Sequence, residues 1–205
     1  MAKIKTTALF VDVGGVLATN GWDHQARALA AKTFKLDFKE MDARHKDTFD
    51  TFEIGKISLK EYLNRIVFYE KRPFMPDEFM KFMHAQSQAF PDMIQLMIEV
   101  KKCYGLKVAV VSNEGRELTN YRIKKFKLDQ FVDFFVCSGY VGLRKPDTAI
   151  YRLALDLAHV PPEEIIYLED REMFVEVAET FGIRGVLHTD YATTRQTLQE
   201  LLLHK

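Results

Sequence analysis

Four places in the chain carry side chains suited to handling a phosphoryl group. Asp12 closes the apolar run "LFVD", and Gly14 and Gly15 follow it closely. Ser112-Asn113 follows "VAVV", Lys145 stands in "GLRKPD", and Glu169-Asp170 follows "IIYL". The set is a carboxylate able to attack, a hydroxyl, a cation and an acidic pair. A phosphoryl group spreads charge over three outer oxygens, so its transfer depends on positioning and charge stabilisation. A carboxylate can attack phosphorus and carry the group as an aspartyl phosphate. It cannot approach an anion unaided. Lys145 supplies one cation, and a divalent ion held by Asp12 and Asp170 supplies another. Oxygen ligands beside a phosphate favour Mg²⁺. The Ser112 hydroxyl and the amides near Gly14, Gly15 and Asn113 are placed to bind the remaining oxygens, because glycine lets the backbone come close. Singly, each has a plainer reading as a turn residue, a helix cap, a helix start or a solvated turn. Only their convergence makes chemistry.

Convergence requires a sheet. Five short apolar runs predict strands at Ala8–Val11, Lys107–Val111, Phe134–Cys137, Ile165–Leu168 and Gly185–Leu187. They show no apolar/polar alternation, which suits a parallel sheet covered on both faces. Helical stripes separate them: Met93, Leu96, Met97 and Val100; Ile150, Leu153, Ala154, Leu157 and Ala158; Met173, Val177 and Phe181, with Gly182 where a helix end favours glycine. This alternation predicts an α/β chain with a doubly wound parallel sheet, whose ligand sits at the carboxyl ends of the strands.

Residues 20–90 read instead as helix after helix. Ser58-Leu-Lys-Glu61 is a capping box with Leu59, Tyr62, Leu63 and Ile66 behind it. Pro76 suits a first helical position before Phe79, Phe82 and Met83. Nine of the sixteen phenylalanines fall between 21 and 90, which predicts a helical bundle filling its own core rather than an aromatic ligand box. The expected organisation is a core domain of 1–19 and 91–205 with a helical bundle, 20–90, inserted after the first strand and hence over the site.

The chain has 205 residues, 47% of them hydrophobic, enough for a sizeable core. Basic and acidic residues both number 29, so no nucleic-acid or anionic-membrane partner is expected. Cys103 and Cys137 have no metal spacing and predict small core residues in a reduced, cytoplasmic chain. Lys3 and Lys5 precede an apolar stretch as in a signal peptide, but Asp12 interrupts it and no cleavage pattern follows. No run reaches the ~18 apolar residues of a membrane span. The expected partner is a small phosphorylated metabolite, and the expected state a monomer or weak homodimer.

Asp12, Ser112-Asn113, Lys145-Pro146 and Glu169-Asp170 resemble, in order and spacing, the four motifs of the haloacid dehalogenase-like hydrolase superfamily. The insert resembles the helical cap of its first cap class. "CSGYVGLRKPDTAIYRLAL" and "IIYLEDREMFVEVAETFGI" are similar to its phosphatase branch. The resemblance implies Asp12 as nucleophile, Ser112 as phosphate ligand, Lys145 as charge clamp and Asp170 as metal ligand. It places Glu169 beside the metal, directly or through water, and gives the Gly14 carbonyl a metal contact.

Position 14 departs from that pattern. Phosphatases resembling this chain usually carry there a second aspartate, which protonates the leaving oxygen and then deprotonates water. Such catalysis contributes ~10²–10⁴-fold. Three readings stand open: a phosphatase whose leaving group needs little protonation, such as a sugar 1-phosphate; a substitute proton donor, Asp23 or His24, from "NGWDHQ", whose Trp22, Asp23 and His24 enter the insert beside the site as expected substrate-binding residues; or a phosphate-binding protein with little turnover. The dehalogenase branch also lacks the second aspartate, but the retained Glu169-Asp170 pair favours phosphate hydrolysis.

Overall fold

A computed structural model describes residues 5–202; Lys3 of the amino-terminal basic pair lies outside them. Five strands form one parallel sheet: β1 (Ala8–Val11), β2 (Lys107–Ser112), β3 (Phe134–Cys137), β4 (Ile165–Glu169) and β5 (Arg184–Leu187). Their order is β3-β2-β1-β4-β5, so β1 is central, with β2 and β4 as its neighbours. Val11 pairs with Val110 on one side and Leu168 on the other, which brings the three carboxyl ends level.

The non-alternating runs have a direct physical cause. Leu9, Val11, Val108, Val110, Ile166 and Leu168 pack on one face, while Ala8, Phe10, Ala109, Val111, Ile165 and Tyr167 pack on the other. Both faces are apolar because helices cover both. On the first lie α5 (Pro91–Tyr104), with Met93, Leu96, Met97 and Val100 buried as expected, and α10 (Tyr191–Leu202). On the second lie α8 (Thr148–Ala158) and α9 (Glu172–Glu179).

Three details differ from the expected stripes. Leu157 and Met173 are 53% and 56% exposed. The buried face of α9 is Phe174, Val175 and Ala178, one residue away from the expected start at Met173. That rotation turns the Phe174 ring to the strand ends, 5.1 Å from the Lys145 ammonium. Cys137 is buried but Cys103 is exposed, because it falls on the outer face of α5. Gly182 does adopt a left-handed conformation, at φ 86°, just past α9.

Between β1 and α5 lie α1 (His24–Phe34), α2 (Phe38–Glu53), α3 (Leu59–Ile66) and α4 (Pro76–Ala85). The Ser58–Glu61 capping box forms, and Pro76 opens α4. These helices share their own core, with Trp22, Met41, Tyr62, Ile66 and Phe79 buried in it. The chain enters and leaves through a narrow neck, where Ala18 bridges Ala89 antiparallel. There Thr19 donates its amide to the Gln88 carbonyl at 2.8 Å, and Phe90 donates to Leu17 at 2.8 Å. Among the described residues, no helix is long and apolar enough to cross a membrane.

α6 (Arg116–Phe126) follows β2, and α7 (Ser138–Val141) follows β3. Both meet the helical unit. The Leu59 amide donates to Glu117 at 2.9 Å, and the Ser138 hydroxyl donates to the Glu53 carbonyl at 2.8 Å. The Arg144 guanidinium pairs with Asp50 and, at 2.8 Å, with Glu53. The helical unit is thereby held over the carboxyl ends of the strands.

Candidate active site

A cavity of about 300 Å³ opens between the strand ends and the helical unit. Its floor holds Asp12, Gly14, Ser112, Asn113 and Lys145; its roof includes Trp22, Phe49, Phe52 and Glu53.

Lys145 organises the floor. It is 1% exposed. Its ammonium lies 3.1 Å from Asp12 Oδ1, 2.5 Å from Glu169 Oε2, 3.0 Å from the Tyr167 hydroxyl and 3.1 Å from the Val111 carbonyl. Burial alone would drive its proton off, but Asp12 and Glu169 outweigh burial and raise its pKa. Lys145 is therefore a fixed cation. The loop carrying it is clamped by Asn113, whose side-chain amide donates to the Lys145 carbonyl at 2.9 Å. In return, Asn113 Oδ1 accepts from the Lys145 amide at 2.8 Å. The Asn113 side chain is thus spent on placing Lys145, which leaves the backbone amide expected at the phosphate for an anion.

Asp12 is 8% exposed. Burial raises its carboxyl pKa, with Lys145 and a Ser112 hydrogen bond acting the other way. Asp12 Oδ1 makes no hydrogen bond, despite the nearby ammonium. Asp12, Glu169 and Asp170 offer oxygens within 4.8 Å of one another. A buried carboxylate oxygen that has an ion pair but no hydrogen bond, inside a three-carboxylate cluster, fits a divalent cation. The acidic pair divides its work. Glu169 is fully buried: Oε2 serves Lys145 and Tyr167, while Oε1 accepts from the amides of Asp170 and Arg171. Asp170 is half-buried and turns its carboxylate toward Gly15. A Cβ on Gly15 would stand 2.0 Å from Asp170 Oδ2, and Gly15 has φ 79°, so only glycine fits beside that carboxylate. Gly14 is buried beside Asp12 and lines the cavity.

The entry segment is less polar in effect than its sequence suggests. Trp22 is buried and donates its indole N–H to the Tyr62 hydroxyl at 2.8 Å. That leaves the hydroxyl proton for His45 Nδ1, 2.7 Å away. Burial, with Arg27 adding to it, holds His45 at a pKa of about 4, so the ring is neutral. Asp23 is exposed at the rim, and its carboxylate accepts from the Ala26 amide at 2.8 Å as the cap of α1. His24 is also exposed, with its ring edge-on to Phe38 at 5.1 Å. Neither is set at the floor.

Several cavity residues escaped the sequence reading. Arg144 and Arg171 stand inside the quoted motifs but were overshadowed by their neighbours. Glu53 lies at the end of α2, 6% exposed, and burial pushes its pKa up to about 7. Arg144 offsets only part of that cost. Glu114 and Arg122 form a buried ion pair. Arg122 also donates to Ser87 Oγ at 2.7 Å and to the Thr19 carbonyl at 2.6 Å, so one guanidinium ties both strands of the neck to the cavity. Only Glu114 had a signal, an acid two residues beyond Ser112.

The sequence profile described as haloacid dehalogenase-like hydrolase matches residues 26–187. A phosphorylated carbohydrates phosphatase of Thermotoga maritima is 30% identical over 95 residues, 45% of this chain and 44% of that protein. An (S)-2-haloacid dehalogenase of Burkholderia cepacia is 28% identical over 117 residues, 57% of this chain and 50% of that one. The chain thus spans half or less of these curated relatives. In fold it is similar to a haloacid dehalogenase family enzyme from Bacteroides thetaiotaomicron, solved with magnesium and inorganic phosphate. There the TM-score is 0.78 at 18% identity, covering 92% of this chain and 98% of the other. A profile match over most of the chain, on a parallel sheet of this order, settles the family: the chain belongs to the haloacid dehalogenase-like hydrolases.

Proposed function

We propose that the protein is a Mg²⁺-dependent phosphomonoester hydrolase acting on a small phosphorylated metabolite through an aspartyl phosphate on Asp12. One observation carries this: the Asp12–Glu169–Asp170 cluster, with Lys145 buried against it. A divalent ion there would be held by Asp12, Asp170 and the Gly14 carbonyl. When bound, it would neutralise phosphate charge and let the carboxylate approach. Lys145 fixes the opposite side of the phosphoryl group, and Ser112 binds one of its oxygens. Glu169, whose oxygens are already engaged, holds Lys145 and supports the metal from behind. The helical residues 20–90 act as a cap, setting specificity through Trp22, Phe49 and Phe52 and excluding water. Asp23 and His24 sit at its entrance, where they meet the outer part of a substrate. The phosphatase among the relatives supports this reading; a dehalogenase also matches, but the carboxylate cluster favours phosphate over a halide leaving group. A cavity of about 300 Å³ suits a metabolite of sugar-phosphate size.

The test is hydrolysis of a panel of phosphorylated metabolites and an aryl phosphate with Mg²⁺, repeated with chelator and with Asp12→Asn. Both changes should remove activity, Asp12→Asn by about 10⁴-fold or more as for other nucleophile deletions. Full activity in either condition would sink the covalent mechanism.

A further inference from the structure

Resting on the phosphatase reading, we propose that Glu114 is the proton-transfer group of this site. It stands beside the place where Gly14 has no side chain, and it serves the leaving oxygen and then the hydrolytic water. An alkoxide leaves poorly at neutral pH, so a carboxyl must reach the cleaved bond unless the leaving group is unusually stable. Outside the metal cluster, the cavity among the described residues holds three carboxyls: Asp23, Glu53 and Glu114. Asp23 is exposed and committed to capping α1. Glu53 is on the roof, against Arg144. Glu114 belongs to the core, on the loop leaving β2, the same strand end that delivers Ser112.

The geometry ties Glu114 to position 14. A Cβ built on Gly14 would lie 3.8 Å from an Arg122 terminal nitrogen, the nitrogen that pairs with Glu114 Oε1. A side chain at 14 would therefore end against the pair that Glu114 already completes. Glu114 Oε1 is engaged by Arg122, but Oε2 has no hydrogen-bond partner although the residue is 5% exposed. The neighbouring Thr119 hydroxyl donates to the Gly115 carbonyl at 3.2 Å and, with Arg122, acts against the rise in the Glu114 pKa. Burial raises the Glu114 pKa, Arg122 opposes this and Asp12 adds to it, so the group can hold a proton where an exposed glutamate would not.

The proton balance closes over one cycle. Asp12 attacks phosphorus, the P–O bond to the substrate breaks, and its electron pair goes to the leaving oxygen, which takes the Glu114 proton. Water then attacks the phosphorus of the aspartyl phosphate. Glu114 takes a proton from that water as the P–O bond to Asp12 breaks. Phosphate departs with Asp12 ionised and Glu114 protonated as at the start.

The experiment compares wild type, Glu114→Gln and Glu53→Gln with Mg²⁺ on 2,4-dinitrophenyl phosphate and on an alkyl phosphate. Dinitrophenolate departs without protonation. Glu114→Gln should therefore release about one equivalent of dinitrophenolate in a burst, then turn over slowly while phosphorylated Asp12 accumulates. Its alkyl phosphatase activity should fall by ~10²–10⁴-fold. Because Glu114→Gln removes the counter-charge of Arg122, Gly14→Asp/Glu114→Gln is made alongside. Gly14 has no positive φ, and only the exposed Asn20 side chain, 2.8 Å from the new Cβ, must move. The new carboxylate re-pairs Arg122 and should restore alkyl turnover. A folded Glu114→Gln with equal losses on both substrates and no burst would overturn the assignment. So would a folded double variant silent on alkyl phosphates, or the burst appearing in Glu53→Gln instead. A wild type that hydrolyses neither substrate would fail the phosphatase reading itself, and Glu114 with it.

Discussion

The sheet edge and the helical unit both bury charge, but they do so differently. In the helical unit, the Arg27 guanidinium donates twice to Asp42 and once to the Trp22 carbonyl, and Asp42 also meets Lys46 at 3.0 Å. The Trp22–Tyr62–His45 chain is closed in the same way. At the sheet edge, Asp12 Oδ1 and Glu114 Oε2 are buried without hydrogen bonds. Buried polar groups are costly unless paired. Fully paired groups stabilise a shape, whereas unpaired ones facing one cavity mark where a ligand completes the set. The Arg27 and Trp22 networks inside the helical unit spend their polar atoms on structure. His84 Nε2 in α4 has no hydrogen bond, and at the cavity Asp12 Oδ1 and Glu114 Oε2 from the sheet edge are joined by Glu53 Oε2 from α2 as buried oxygens without hydrogen bonds.

Breaking the sheet-edge set should cost most. Lys145→Met leaves Asp12 and Glu169 buried without their cation. Its unfolding free energy should drop by about 3–5 kcal/mol, read from urea denaturation, with activity lost. A loss under 1 kcal/mol would show that the carboxylates do not depend on this lysine.

Glu53 tests the surface where the two regions meet. Its folded pKa of about 7 lies above the usual 4.5. The unfolded chain therefore releases this proton first, and stability contributed by the protonated form falls as pH rises from about 4.5 to 7. The shift corresponds to an upper bound of roughly 3 kcal/mol. Urea midpoints at pH 5 and pH 8 should converge in Glu53→Gln relative to wild type. An unchanged difference would place Glu53 in water. His45 acts in the opposite sense, since its neutral ring loses stability as pH falls from 6.5 toward about 4, but it is common to both proteins and cancels.

Inside the helical unit, Tyr62→Phe strands the Trp22 N–H and the His45 ring nitrogen. The expected cost is about 1–3 kcal/mol, and His45 should titrate at a changed pKa by NMR. A silent substitution would mean that a water replaces the hydroxyl. The smallest effect belongs to the capping box on the surface of α3. Ser58→Ala should lower stability by about 1 kcal/mol without touching activity. A larger loss of activity than of stability would link α3 to the site.

The legible part of the fold was the sheet. Strands with apolar residues on both faces have to lie between two helical layers, and runs such as "ALFV" and "KVAVVS" say so without tertiary information. The expected Met173 stripe was displaced because Val177 and Phe181 are only partly buried while Phe174 turns to the cavity. A periodic pattern fixes a helix but not its rotation when one side chain is drawn to a site. Asp23 was read as a candidate proton donor, and its bond to the Ala26 amide makes it the cap of α1.

By itself the sequence determined which strand ends carry Asp12, Ser112, Lys145 and Glu169-Asp170, because each follows its own strand or loop signal locally. It also placed Gly15 beside them as backbone that a phosphate could approach; that Asp170 leaves no room there for a Cβ came only from the structure. The tertiary structure decided what those residues touch. Asn113 turns to the Lys145 backbone, Glu169 spends both oxygens while Asp170 faces Gly15, and Arg122 reaches from α6 to the neck and to Glu114. These contacts join residues that the chain separates by more than a hundred positions, as in Arg122 to Thr19 and Asp170 to Gly15. Local patterns encode which way a strand or helix faces. They do not encode which distant partner settles a buried charge, because that is a balance of desolvation and pairing set only when the elements have packed.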